Sequence, residues 1–398
     1  MQNFFIFLII LYMFRAPTFF SRILEINFGL PPLEYYPVYF LLLPVLYFAM
    51  QGIVKGKFAL PYFITFSLTI VIFLFMESEF FRGTGQTNLV YPYYLLIIYT
   101  CFITLINYGI KPFIRDTIIK YSIIIISIMV FFQYLGYLGL INIVDNSTYV
   151  RSAFIENHRV VNEITHLNGM SFNCVIGMYL LFIYKSLNDF SSTRKRIFFW
   201  ILIFLFFGLI IINATRGAFL LAALGFIVFF YDSWKNMSRN QKLIIIPISM
   251  GVTIVGSFYI FGGMLPDIYL AKRLTEETSL EEARVKQIIL SLRNFVNNPW
   301  FGVGYNNATR GDYGLSRSNF SYTQILASNG LFYFILYMNL LIKLFGKRLK
   351  NINSILLSLA AYGSLMFYNL SLLGALSLIA YLTYYEKQNI NNTHWAKI

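Results

Sequence analysis

Apolar runs long enough to cross a membrane recur along almost the whole chain, separated by short polar loops. A spanning helix needs roughly 20 apolar residues, and by that measure candidates occupy residues 3–20, 36–54, 58–76, 90–110, 117–138, 165–184, 197–212, 218–231, 243–262, 321–345, 352–367 and 371–385. The pattern predicts an all-α polytopic bundle of about twelve helices, forming a single transmembrane domain over residues 1–398. Pro44, Pro61, Pro92 and Pro247 fall inside runs and predict kinks, which neighbouring helices can absorb. The first run follows no basic residue and precedes no small-residue cleavage site, so it is expected as a span, not as a removed signal.

One loop interrupts the pattern, over residues 263–320. Within it Val285, Ile288, Ile289, Leu292 and Val296 recur at helical spacing, and Ser279 with Glu282 makes a capping box, which predicts a helix from about Leu280. The segment is too polar to span. Arg284, Gln287, Ser291 and Asn294 share its other face, so it is expected along the membrane surface with that polar stripe turned to a cleft. Its arginines could equally meet lipid headgroups.

Composition agrees: 58% of residues are hydrophobic, 12% are charged and the mean hydropathy is +0.64, which excludes the water-soluble globular classes. The net charge of +14 does not point to nucleic acid, because the basic residues lie in small clusters between spans and form no basic domain. Numbering the loops alternately places 18 of the 31 Lys and Arg on one side, 13 of them Lys, including Lys185, Arg194, Lys195 and Arg196. The positive-inside rule makes this side cytoplasmic, together with both termini. Of the remaining 13, 11 are Arg. Lys serves orientation as well as Arg does, so an outer face that prefers Arg suggests bidentate recognition of phosphate or carboxylate. Cys101 and Cys174 lie within apolar runs and are expected as core filler.

Three outer segments carry candidate chemistry. In the loop 141–164, Arg151, Glu156, His158 and Arg159 fall close together. The break Asn213-Ala214-Thr215-Arg216-Gly217 holds an arginine at the membrane edge, which is costly unless it meets a partner or water; snorkelling to the interface is the plain alternative. In Asn298-Pro299-Trp300-Phe301-Gly302-Val303-Gly304, the two glycines permit backbone geometries that turn N–H groups toward an anion, though a simple turn would also use them. Arg310 and Arg317 add cations to the same long loop.

Taken in order, Thr215-Arg216-Gly217-Ala218, Arg284 ahead of the amphipathic helix, the Asn298 to Gly304 stretch, and Ser321-Tyr322-Thr323-Gln324 continuing to Leu331 resemble the O-antigen polymerase and ligase superfamily. Arg151 to Asn157 also resembles an Arg-rich, Glu-containing segment of the polymerases. The resemblance implies a bundle like that of the GT-C glycosyltransferases and an undecaprenyl-diphosphate-linked glycan donor. It further implies inverting transfer at the periplasmic face of the inner membrane, and membrane lipid and a chain-length regulator as partners. Arg216, Arg284, Arg310, Arg317, Arg151 and Arg159 would hold the diphosphate. Gly302, Gly304, Asn319 and Tyr322 would line the loop and acceptor region, and Glu156, then His158, would be the base. The ligases resemble one another in a histidine before the Ser-Tyr motif; here Asn319 stands there, and an Asn is no general base near neutral pH, which favours the polymerase.

No Asp-x-Asp occurs in the outer loops, and Glu77 with Glu79 lacks a third ligand, so a metal-independent reaction without cofactor is expected, the arginines supplying the charge. Two rivals are a ligase that joins finished polymer to a lipid core and a polysaccharide transporter. A transporter would show inverted repeats and mid-span charges, and neither is seen.

Overall fold

The computed structural model describes residues 2–14, 16–30, 112–141, 167–188, 192–213, 216–235, 279–300, 302–303 and 321–341, with positions 355, 356 and 359. Among the described residues the only regular secondary structure is helical. The helices are α1 (Gln2–Met13), α2 (Ala16–Phe28), α3 (Pro112–Tyr137), α4 (Leu167–Leu187), α5 (Thr193–Ile212), α6 (Arg216–Lys235), α7 (Ser279–Asn297) and α8 (Ser321–Leu341). Among the described residues, three segments are long and apolar enough to cross a membrane: Asp116–Gly136, Met170–Leu187 and Thr193–Ile212; Gly217–Tyr231 is a shorter apolar stretch. Isoleucine runs such as Ile123–Ile126 would favour strands in water. Hydrocarbon offers the backbone no partner, so an isolated segment must satisfy its N–H and C=O groups internally, as a helix.

The expected span over residues 3–20 is corrected to two helices, α1 and α2, that meet around Phe14. Pro17 stands in the first turn of α2; it brings no N–H and cannot continue the ladder of α1. The buried side chains run on through the break, from Ile6, Ile10 and Phe14 to Ala16, Phe19 and Ile23, so the two short helices pack as one.

Helix α4 is the centre of the bundle. Every residue from Met170 to Ile183 is buried, and α3, α5 and α6 pack around it. Gly177 lets them close: a Cβ there would stand 2.6 Å from the Phe206 ring and 3.2 Å from Ile126. At Gly225 of α6 a side chain would strike the Tyr179 ring, whose hydroxyl donates to the Leu221 carbonyl. Cys174 is a free, buried thiol, as core filler should be. Cys101 and the prolines expected to kink spans lie outside the described residues, as do the runs 36–54, 58–76, 90–110, 243–262 and 371–385.

Ring contacts fix the directions. Lys120 lies over Tyr184, and Phe182 packs on Phe199 and stacks on Phe229. Tyr134 donates to the Leu205 carbonyl, and Asn213 Nδ2 donates to Ser171 Oγ. So α3 and α5 run one way, and α4 and α6 the other. Phe7 against Tyr121 and Phe20 against Phe132 set α1 and α2 alongside α3 in the same direction. Two ends result. One gathers Lys120, Lys185, Arg194, Lys195 and Arg196. At the other, α3 ends, α4 begins, and α5 gives way to α6 at Asn213 and Arg216.

Candidate functional site

The chain leaves α3 and enters α4 at the end where Arg216 opens α6, so both anchors of the segment 142–166 share that end with the α5–α6 corner. The corner is held from within the bundle. Asn213 caps α5, its N–H donating to the Leu209 carbonyl at 2.9 Å, and its buried amide donates to Ser171 in the second turn of α4 at 3.2 Å. This bond ties the corner before Arg216 to the start of the helix that follows the segment 142–166. Sequence reasoning did not single out Ser171; its only signal was a polar residue one turn into an apolar run.

The second part of the site is built by α7, the turn after it and α8. The helix expected near Leu280 begins at Ser279, and Arg284 lies in its second turn. The polar stripe is confirmed at Gln287 and Ser291, but it faces the protein: among the described side chains of α7 these two alone are buried. Helix α8 packs against α7 and carries buried polar residues of its own, Thr323, Gln324 and Ser328, with Gln324 Nε2 donating to Ser328 Oγ at 3.1 Å. The apolar face points outward: Val285, Ile289, Leu292 and Val296 are exposed. Leaving such side chains in water costs about 1.5–3 kcal/mol each. A helix with polar residues inward and apolar residues outward is built for lipid.

The turn locks into a break in α8. Gly330 has φ 75° and ψ −179°, which interrupts the helix. Leu331 N–H, which would otherwise reach back to the Ala327 carbonyl, donates to the Pro299 carbonyl at 2.8 Å. The Ala327 carbonyl accepts from Val303 N–H at 2.9 Å instead. The turn thus satisfies two groups that the broken helix leaves over, the Leu331 N–H and the Ala327 carbonyl. Gly302, at φ 76°, lies against this break, and a Cβ there would run into the Ser328 and Ala327 backbone. Trp300 stacks on Phe332 at 5.4 Å and closes the outer side. Gly302 N–H donates to the Asn298 carbonyl. The N–H groups of Gly302 and Val303 are therefore engaged within the chain, and here the glycine serves close packing in place of the anion cradle expected of it.

Tyr322 is half-buried on the first turn of α8 and packs against the main core, which Ile325 joins; this links the clasp to the bundle. Arg151, Glu156, His158, Arg159, Gly304, Arg310, Arg317 and Asn319 lie outside the described residues, as do Glu77 and Glu79. The clasp itself was not anticipated. Its signals were present as Gly330 inside an apolar run and Pro299 one turn before Gly302.

Residues 200–338 match a family model described as O-Antigen ligase. That range begins in α5 and takes in the corner at Asn213, α6, α7, the clasp and most of α8. No curated protein and no solved structure gives a significant match.

Proposed function

With residues 200–338 carrying a domain of the O-antigen polymerase and ligase superfamily, we propose that this membrane protein polymerises lipid-linked oligosaccharide repeat units. The donor is an undecaprenyl-diphosphate-linked unit at the periplasmic face of the bacterial inner membrane, and both termini are cytoplasmic. The reaction is an inverting displacement: an acceptor sugar hydroxyl attacks the anomeric carbon, its proton passes to the Glu156 carboxylate, and the bond to the diphosphate breaks. Negative charge grows on the leaving diphosphate, and arginines aimed there lower the barrier. Arg216 and Arg284 fill that role, with Arg310 and Arg317 of the long outer loop and Arg151 and Arg159 of the loop 141–164 as further candidates. His158 is the reserve base, and Asn319 and Tyr322 stand on the acceptor side.

The observation that carries the reading is the meeting of three features at one end of the bundle: the anchors of the segment holding Glu156, the buried Asn213–Ser171 bond, and Arg216 at the head of α6. The lysine-rich end lies opposite. The outward apolar face of α7 supports a substrate that arrives through the membrane.

The ligase reading is favoured by the description of the matching family; Asn319 at the position where the ligases resemble one another in a histidine favours the polymerase. A gel of surface polysaccharide from a deletion strain separates them. Collapse of the ladder to core plus one repeat unit is expected. Loss of every core-linked unit with lipid-linked polymer retained identifies a ligase instead. For the base, purified Glu156→Gln protein is expected to bind donor and fail to extend it. Near wild-type extension would move that role to His158.

A further inference from the structure

At the basic end of the bundle, far from the corner at Arg216, a cavity of about 560 Å³ opens between the C-terminus of α4 and the N-terminal turns of α5. Its lining is Lys185, Ser186, Leu187, Asn188, Arg196, Phe199 and Trp200. We propose that this cavity binds the phosphate headgroup of an anionic membrane lipid, held between Lys185 and Arg196. The volume suits a small headgroup, within the usual range of ligand sites.

The lining brings two cations from different helices and, among the described residues, no carboxylate. Lys185 and Arg196 thus bring positive charge to one cavity from two helices, and that favours an anion there. Lys185 is held in place by rings: its Nζ lies 4.6 Å from the centre of Phe229, 5.2 Å from Phe199 and 5.9 Å from Trp200. Aromatic faces orient an ammonium without neutralising it. Ser186 Oγ and Asn188 Nδ2 donate to the Ile183 and Tyr184 carbonyls, so charge recognition falls mainly to the two cations.

The source of the phosphate follows from what adjoins the cavity. Ile197, Ile201, Phe204 and Leu205 are exposed along α5, starting beside the cavity and running down the bundle. Acyl chains attached to a bound headgroup would lie along that row, and Trp200 sits where interfacial tryptophans are enriched. The positive-inside rule makes this the cytoplasmic end, where the leaflet is anionic and basic pockets between spans take lipid headgroups.

The test uses the detergent-purified full chain and native mass spectrometry. The probes are phosphatidylglycerol, phosphatidylcholine with the same chains, and inorganic phosphate as competitor. Phosphatidylglycerol is expected to be retained about tenfold better than phosphatidylcholine, the scale of one to two basic contacts. Lys185→Gln with Arg196→Gln should abolish that preference. Arg194→Gln with Lys195→Gln, which removes equal charge from the same helix end but outside the lining, should preserve it. Equal loss in both double variants would reduce the effect to surface attraction and overturn the site. Displacement of the lipid by equimolar inorganic phosphate would overturn the lipid assignment. Should the Lys185 and Arg196 variant fail to fold, the wild-type comparison still decides, since equal retention of the two lipids sinks the proposal. The proposal does not rest on the transfer reaction, and the assay reads none of it.

Discussion

Gly302 combines two demands at one position: a left-handed backbone and the absence of a side chain against the Ser328 carbonyl. Gly139 makes only the first demand, with φ 72° and nothing near a would-be Cβ. Gly139→Ala should therefore cost about 1–2 kcal/mol from backbone conformation alone. Gly302→Ala should add about 1–3 kcal/mol of overpacking, because helix backbone cannot rotate aside as a side chain can. Thermal melting in detergent is expected to drop further for Gly302→Ala; equal drops would mean that the turn does not press on α8. A second residue-scale prediction separates charge from shape. If Arg216 and Arg284 each grip a diphosphate bidentately, Arg→Lys at either keeps the charge but loses about 3 kcal/mol of bonding in the transition state, a slowing of roughly a hundredfold. Full turnover by both Lys variants at equal expression would leave these arginines an orientation or headgroup role.

For the elements, the inverted polarity of α7 yields the next prediction. Were its exposed face in water, substitutions there would be nearly neutral. If it lies in the interface, spin labels at Ile289 and Val296 should be accessible to oxygen and shielded from a water-soluble nickel chelate, with a label at Asn298 reversed. Equal nickel access at all three sites would put α7 in water. The start and register of α7 were legible in the sequence because their signals are local: the helix begins at Ser279, one residue from the expected start, and Gln287 and Ser291 lie together on the buried side. Which face turns inward was not legible: periodicity tells which residues share a face, but the burial of Gln287 and Ser291 depends on the packing of α7 against α8, far away in the sequence. The clasp escaped for the same reason, since its bonds join Pro299 to Leu331 and Val303 to Ala327. The break between α1 and α2 is different, because Pro17 is a local signal and an apolar run simply outweighed it. Spans such as Asp116–Gly136, expected over 117–138, were legible to within about two residues, since hydrophobic length is the whole requirement.

At the scale of the whole molecule, everything proposed for catalysis depends on which end faces outward. The alternating helices place Lys185, Arg194, Lys195 and Arg196 at one end and Arg216 at the other, so a single orientation fixes the sidedness of every segment between them. Loop charge favours the lysine-rich end inside, and the worth of each basic residue there is modest, so it is their number that decides. Asn188, just beyond α4 at the lysine-rich end, and Asn307, in the long loop, should then lie on opposite sides. Cys174 is fully buried and stays silent to a membrane-impermeant maleimide; replacing Cys101 with Ser clears the remaining background. In that background, whole-cell labelling should modify Asn307→Cys and spare Asn188→Cys until the membrane is opened. Labelling of Asn188→Cys from outside, with Asn307→Cys protected, would turn the bundle over. Arg216 would then stand in the cytoplasm, away from any donor on the outer face, and the anionic-lipid cavity would pass to the outer leaflet.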